Sequence, residues 1–171
     1  MNKYYAGIGS VLTPSDICQL MTQIAEELSQ GGYILRSGHA DGADIAFEAG
    51  AKNAEIMLPW NGFNHAYKDD VRYFLPVRYP ESFTIAERFH PAWDKCSYNA
   101  RCLHARNVFQ ILGTDLETPV KFVVCWTPNG SGSGGTGQAL RIAKSMDIPI
   151  FDLAIEGKLE ELIEFVSNQG E

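Results

Sequence analysis

The sequence predicts an α/β protein with a mostly parallel sheet of about five strands, helices on both faces and one aromatic-rich insertion. Three observations lead there. Short β-rich runs alternate five times with segments of helical period. Parallel strands need right-handed crossovers, which put helices on both faces of the sheet. Four of the inferred strand ends run into glycine-rich or polar stretches, as expected where an α/β sheet binds a ligand beyond its carboxyl edge.

The first run, residues 3–8, ends in "GIGS". Thr13 is placed to cap a helix that has Pro14 at its first position. Ile17, Leu20, Met21, Ile24, Ala25 and Leu28 keep its apolar stripe, and Gly31-Gly32 ends it. Residues 33–35 form a second strand, followed by "RSGHADGAD" and a helix over 41–51. A third strand over 54–58 closes at Pro59. The rhythm then breaks. Residues 60–98 are rich in aromatics and punctuated by prolines, and read as an insertion or lid with a short helix at 82–89. Helix returns over 99–116. "VKFVVCW" (120–126) is the strongest strand, and "NGSGSGGTGQ" leads into a helix reaching residue 146. "IPIFDL" and a helix over 159–166 complete the order. A Rossmann-like three-layer domain spanning 1–171 is the expectation.

With 171 residues, 45% apolar and 20% charged, the chain can bury a sizeable core. A net charge of −7 with no basic run disfavours a wide grip on a phosphate backbone, so no nucleic-acid partner is expected. No apolar stretch approaches a membrane span, and "MNKYYAGIGS" is too short and polar for a signal peptide. No pair of the four cysteines has C-x-x-C spacing, and a reducing, cytoplasmic setting is expected. His90, Cys96, Cys102 and His104 cluster in sequence but match no standard zinc spacing, so neither metal nor other cofactor is expected.

The polar residues gather at the strand ends. Gly134, Gly135, Thr136, Gly137 and Gln138 put backbone N–H groups at a helix start, where orphan donors and the helix dipole favour an anion; a loose turn is the plainer reading. There is no G-K-[ST], so this is not a Walker A loop. Gly7, Gly9 and Ser10 form either a tight strand-to-helix turn or part of the same cradle. Arg36 can fork onto a phosphate, with Ser37 and Gly38 allowing close backbone approach. Asp41 either holds ribose hydroxyls or caps its helix. Asp44 and Glu48 lie one helical turn apart, a spacing suited to acid–base work, although Glu48 also reads as a solvated position. Arg106 is a second candidate cation, with Asn107 beside it. Pro59 and Trp60 end the third strand. Trp60 and Trp126 are placed to stack on a base, whereas Trp93 reads as core.

Taken in order, "YAGIGS…TP", "LRSGHADGADIAFEAGA", "LPW", "HARN" and "GGTGQALRIA" resemble the SLOG superfamily. This Rossmann-like group includes the DNA-processing protein DprA and the Lonely-guy phosphoribohydrolases. The small DprA-like proteins of bacteria and bacteriophages are the nearest in pattern. The resemblance implies a nucleotide-type ligand at the carboxyl edge of the sheet, and a homodimer. The Lonely-guy pattern implies an Arg, matched by Arg106, and a Glu after the glycine loop, where this chain has Arg141. Val11 stands where the small relatives carry Arg.

Two function classes follow. One is cleavage of a nucleotide's N-glycosidic bond, with Asp44 or Glu48 stabilising the cationic sugar and Arg106 assisting. The other is a non-catalytic sensor or sequestering protein for a nucleotide-derived signal. Single-stranded DNA binding of the DprA kind, through the aromatic insertion, is a weaker third.

Overall fold

The computed structural model describes residues 3–170. Six strands, β1 (Lys3–Gly7), β2 (Tyr33–Ser37), β3 (Ala54–Met57), β4 (Tyr73–Phe74), β5 (Val123–Cys125) and β6 (Ile150–Asp152), form one sheet in the order β4-β3-β2-β1-β5-β6. Every pairing is parallel. Six α-helices connect or follow them: α1 (Ser15–Gln30), α2 (Ala43–Gly50), α3 (Tyr79–Phe89), α4 (Tyr98–Leu112), α5 (Gly135–Ser145) and α6 (Lys158–Asn168).

The strands are short and buried on both faces, so their alternate residues feed two cores. Tyr5, Leu35, Ile56, Phe122 and Val124 face α1, α2 and α6 in one core. There the rings of Tyr5 and Phe122 stack at 5.6 Å, with Phe165 of α6 against Phe122 at 5.5 Å. Ala6, Ile8, Val123 and Cys125 face α3, α4 and α5 in the other, which also takes Trp93. This is the predicted three-layer α/β fold.

The structure corrects the sequence reading at three points. The sheet has six strands rather than about five. The extra strand, β4, has only two residues and comes from the 60–98 segment, which also supplies α3 and buries Ala66, Ser82 and Ala86. Thr13 does not cap α1: its hydroxyl donates to Ser10 O at 2.6 Å, and Pro14 holds the cap position. α4 stops at Leu112 rather than 116, because Gly113 turns the chain at φ +84°. No helix of the described residues is long and apolar enough to cross a membrane.

The strand order reverses between β1 and β5. Crossovers from β1 run outward to β2, β3 and β4, and those from β5 run the other way to β6. The loops leaving β1 and β5 therefore part, and a crevice opens between them at the carboxyl edge.

Candidate functional site

A cavity of about 450 Å³ fills that crevice. Gly9 and Ser10 after β1 line one wall; Gly134, Gly135 and Thr136 at the start of α5 line the opposite wall. Asp44 of α2 and Arg106 and Asn107 of α4 form the polar floor. Eight of the residues expected at a ligand site thus converge on one space.

Arg106 is 5% exposed, and its seating explains the local sequence. Nη1 donates to Gly38 O at 2.5 Å and Nε to Asn107 Oδ1 at 3.0 Å, and the guanidinium lies over the Phe63 ring at 5.4 Å. With its amide oxygen turned toward them, Gln110 accepts from Gly38 N and Arg106 Nε, both at 3.2 Å. A Cβ at residue 38 would meet Arg106 Nη1 at 2.4 Å, so only glycine lets the backbone pass this close. Asn107 Nδ2 in turn donates to Gly135 O at 3.1 Å, tying the arginine to the α5 loop.

At that loop Gly134 turns at φ +78°, a conformation open to glycine, and then α5 begins. The amides of Gly135 and Thr136 lie in the first turn, where no intrahelical acceptor exists. Nothing lies within 4 Å of where a Cβ on Gly134 or Gly135 would sit, so an incoming group can reach the backbone. The 11-residue helix adds its positive N-terminal dipole.

Asp44 is 4% exposed and accepts a hydrogen bond from Ala40 N at 3.3 Å. Burial pushes its carboxyl up to about 6, from an ordinary 3.8, against the pull of the Arg106 charge. No ion pair within 4 Å joins the two among the described residues, so the cavity floor presents a cation and a carboxyl that are not locked together.

Other expected residues sit elsewhere. Arg36 does not converge with Arg106. Its guanidinium lies on the α4 face of the sheet at the entrance to β5, bonded to Glu55 Oε1 at 2.9 Å and Thr118 O at 2.5 Å and stacked on Tyr4 at 3.8 Å. Glu48 does not join Asp44 at the cavity; it accepts from His39 Nδ1 at 2.8 Å and from the Tyr73 hydroxyl at 3.2 Å. Asp41 does not cap α2 and instead accepts from Asn64 Nδ2 at 3.1 Å. Ser37 donates to Gly7 O at 2.5 Å, and Gly7 itself is packed under Phe47 and Leu35. Pro59 O accepts from Tyr79 Oη at 3.0 Å, Trp60 lies edge-on to Phe63, and Trp126 packs against the first core. Gly137 closes on Gly132 O, and Gln138 is buried with Nε2 on Ala86 O. Arg141, at the family's Glu position, donates to Phe89 O at 2.7 Å.

Phe63, Leu103, His104 and Pro128 also line the cavity and were not singled out for it. Their positions depend on how α4 and the loops pack, which no local spacing encodes. Three of the four residues in the His/Cys group do meet. His90, Cys96 and His104 place ligand atoms within 4.8 Å of one another, although their sequence gaps fit no metal pattern. A 3-10 turn at Trp93–Lys95 folds Cys96 back beneath His90, and α4 brings His104 across.

No family model and no curated protein matches the chain. Among solved structures it is similar to DNA processing protein A from Helicobacter pylori, described for its single-stranded DNA binding mode. The two share 18% identity over 95% of this chain and 72% of that one, with a TM-score of 0.57. The fold is DprA-like. This neighbour also overturns the expectation that a chain of this kind has no nucleic-acid partner. That expectation rested on net charge, which sums the whole surface and does not report how charges and donors are distributed over it.

Proposed function

We propose that the crevice of this DprA-like fold binds a phosphate-bearing nucleotide unit of single-stranded nucleic acid, and that the chain is a small SLOG-superfamily protein. The observation that carries the reading is the convergence of the α5 amides and Arg106, bridged by Asn107, on one cavity at the β1–β5 switch point. The structural neighbour's single-stranded DNA binding supports the choice of a polymer.

Fluorescence anisotropy with labelled oligothymidylate tests it. Binding is expected at low salt with a shallow salt slope, because few phosphates are neutralised by a chain of charge −7. Absence of binding at low salt sinks the polymer reading.

A second reading has one observation in its favour. Asp44 is a buried carboxyl titrating at about 6 inside the cavity, the environment used to tune acid–base groups. This reading takes a free nucleotide-derived molecule as ligand, with Asp44 stabilising an oxocarbenium-like sugar as the N-glycosidic bond breaks. Incubation with nucleoside monophosphates then releases free base. Binding without release leaves a sensor of the intact molecule.

Either ligand depends on the α5 loop. Gly135→Asp places a carboxylate in the space left open before the first-turn amides, at a backbone angle an L-residue adopts without strain. Affinity is expected to fall at least about tenfold, as charge-assisted hydrogen bonds are lost, with the thermal midpoint little changed. Unaltered affinity in that variant puts the ligand elsewhere.

A further inference from the structure

We propose that His90, Cys96 and His104 form a zinc site. The site stands independently of the nucleotide reading.

Geometry carries it. Cys96 Sγ lies 3.7 Å from His90 Nε2. Two ligands at ~2.1 Å and ~2.3 Å from one tetrahedral metal stand ~3.6 Å apart, so this pair already has the required separation. The His90 and His104 rings are 4.4 Å apart between centroids in an edge-to-face arrangement, and one ligand atom of each lies within 4.8 Å of the other and of Cys96 Sγ. His104 Nδ1 is buried without a hydrogen-bond partner. A buried polar atom in that condition calls for a missing partner, and a metal ion is one that two imidazoles and a thiolate attract together. Gln138, whose Oε1 also lacks a hydrogen bond, lies beside the same ring.

The surroundings fit a borderline-soft dication. Two imidazoles and a thiol are the ligand types such an ion takes, and their ligand atoms lie within 4.8 Å of one another. Arg141 and Arg106 are the positive groups near the two rings, and the thiolate that Cys96 forms on binding zinc offsets their charge. Two existing bonds must yield. Cys96 Sγ donates to Ala92 O at 3.6 Å and gives up that proton on binding the metal. His90 Nδ1 accepts from Ala92 N at 3.0 Å, so coordination through Nε2 needs the other tautomer and releases that amide, which lies on an open turn. Three protein ligands leave zinc a fourth position for water or an anionic oxygen.

The experiment uses the full chain freed of metal by chelator dialysis and titrated with Co(II), then with Zn(II). The expected result is uptake of one Co(II) per chain, with near-ultraviolet thiolate-to-cobalt absorption and tetrahedral visible bands, all displaced by zinc. Cys96→Ser should abolish the thiolate band. His90→Gln and His104→Gln should each weaken zinc at least about tenfold, with circular dichroism reporting the fold. The proposal is overturned if the unmodified chain takes up no stoichiometric cobalt. It is equally overturned if Cys96→Ser keeps the thiolate band, which would place the metal at Cys18 or another thiol. Because the first reading is taken on the unmodified chain, a misfolded variant does not rescue the idea.

Discussion

Arg106→Ala is expected to lose about 3 kcal/mol of stability, the low end for removing one member of a buried charge pair. The low end applies because Arg106 and Asp44 interact across the cavity floor rather than in direct contact. Three consequences add. Gly38 O and Asn107 Oδ1 lose their donor, Phe63 loses the guanidinium over its ring, and a void opens beside Gln110. The fourth effect is electrostatic and gives the prediction its signature. Arg106 is the main influence holding the Asp44 carboxyl down, so its removal lets that carboxyl rise beyond about 6. A raised carboxyl favours the folded state at low pH and loses that contribution as pH rises. The deficit of Arg106→Ala should therefore grow from pH 5 to pH 8, and urea midpoints across that range measure it. Adding Asp44→Asn should remove the growth, and a double-mutant cycle at pH 8 should return a coupling of at least about 1 kcal/mol. Strict additivity would mean the two groups do not sense each other. Arg106→Lys is not a substitute, because an ammonium cannot reach Gly38 O and Asn107 Oδ1 at once from one planar fork.

The layered fold was legible because strand and helix periods are local. Each apolar run buried on both faces, and each stripe at helical spacing, reports its own environment without knowledge of the rest. β4 was not legible: two residues carry no period, and Tyr73 and Phe74 read as two more aromatics in an aromatic-rich segment. The lining of the crevice was half legible. Consecutive glycines at a strand–helix junction, such as Gly134 and Gly135, cost backbone entropy, and close approach of a ligand to the main chain offsets that cost. Arg36 misled for a reason of parity. It stands one residue before the end of β2, and strand alternation turns its side chain onto the α4 face beside Tyr4 rather than up to the rim. Glu48 misled because a helix face is wider than a cavity: one turn beyond Asp44, α2 has already passed the crevice and reached His39 and Tyr73. The His90, Cys96 and His104 cluster shows the opposite failure. Spacing rules describe sites closed by one loop, whereas this one is closed by a turn and a helix that packs across it.

Asp44→Asn is expected to stabilise the chain at pH 8 by up to about 3 kcal/mol. In the folded chain the carboxyl titrates at about 6, against 3.8 ordinarily, because burial disfavours its charge more than Arg106 favours it. The sign follows from that order. Below pH 3.8 the group is neutral in both states and costs nothing. Between 3.8 and about 6 the unfolded chain ionises it freely while the folded chain resists, so stability falls; above 6 the whole penalty is present. An asparagine keeps the acceptor for Ala40 N and never ionises. The gain over wild type should accordingly be near zero at pH 4 and level off above pH 7, as urea midpoints taken at each pH would show. A constant difference between pH 4 and pH 8 would mean the carboxyl is not where it costs stability. A buried carboxylate that weakens the fold at neutral pH is not explained by packing; the glycosidic reading gives it a chemical role at the cavity floor, and the polymer reading does not. The same variant separates the two functional readings. Under the polymer reading, removing a negative charge from the floor leaves oligothymidylate binding equal or tighter. Under the glycosidic reading, phosphate binding survives and base release stops.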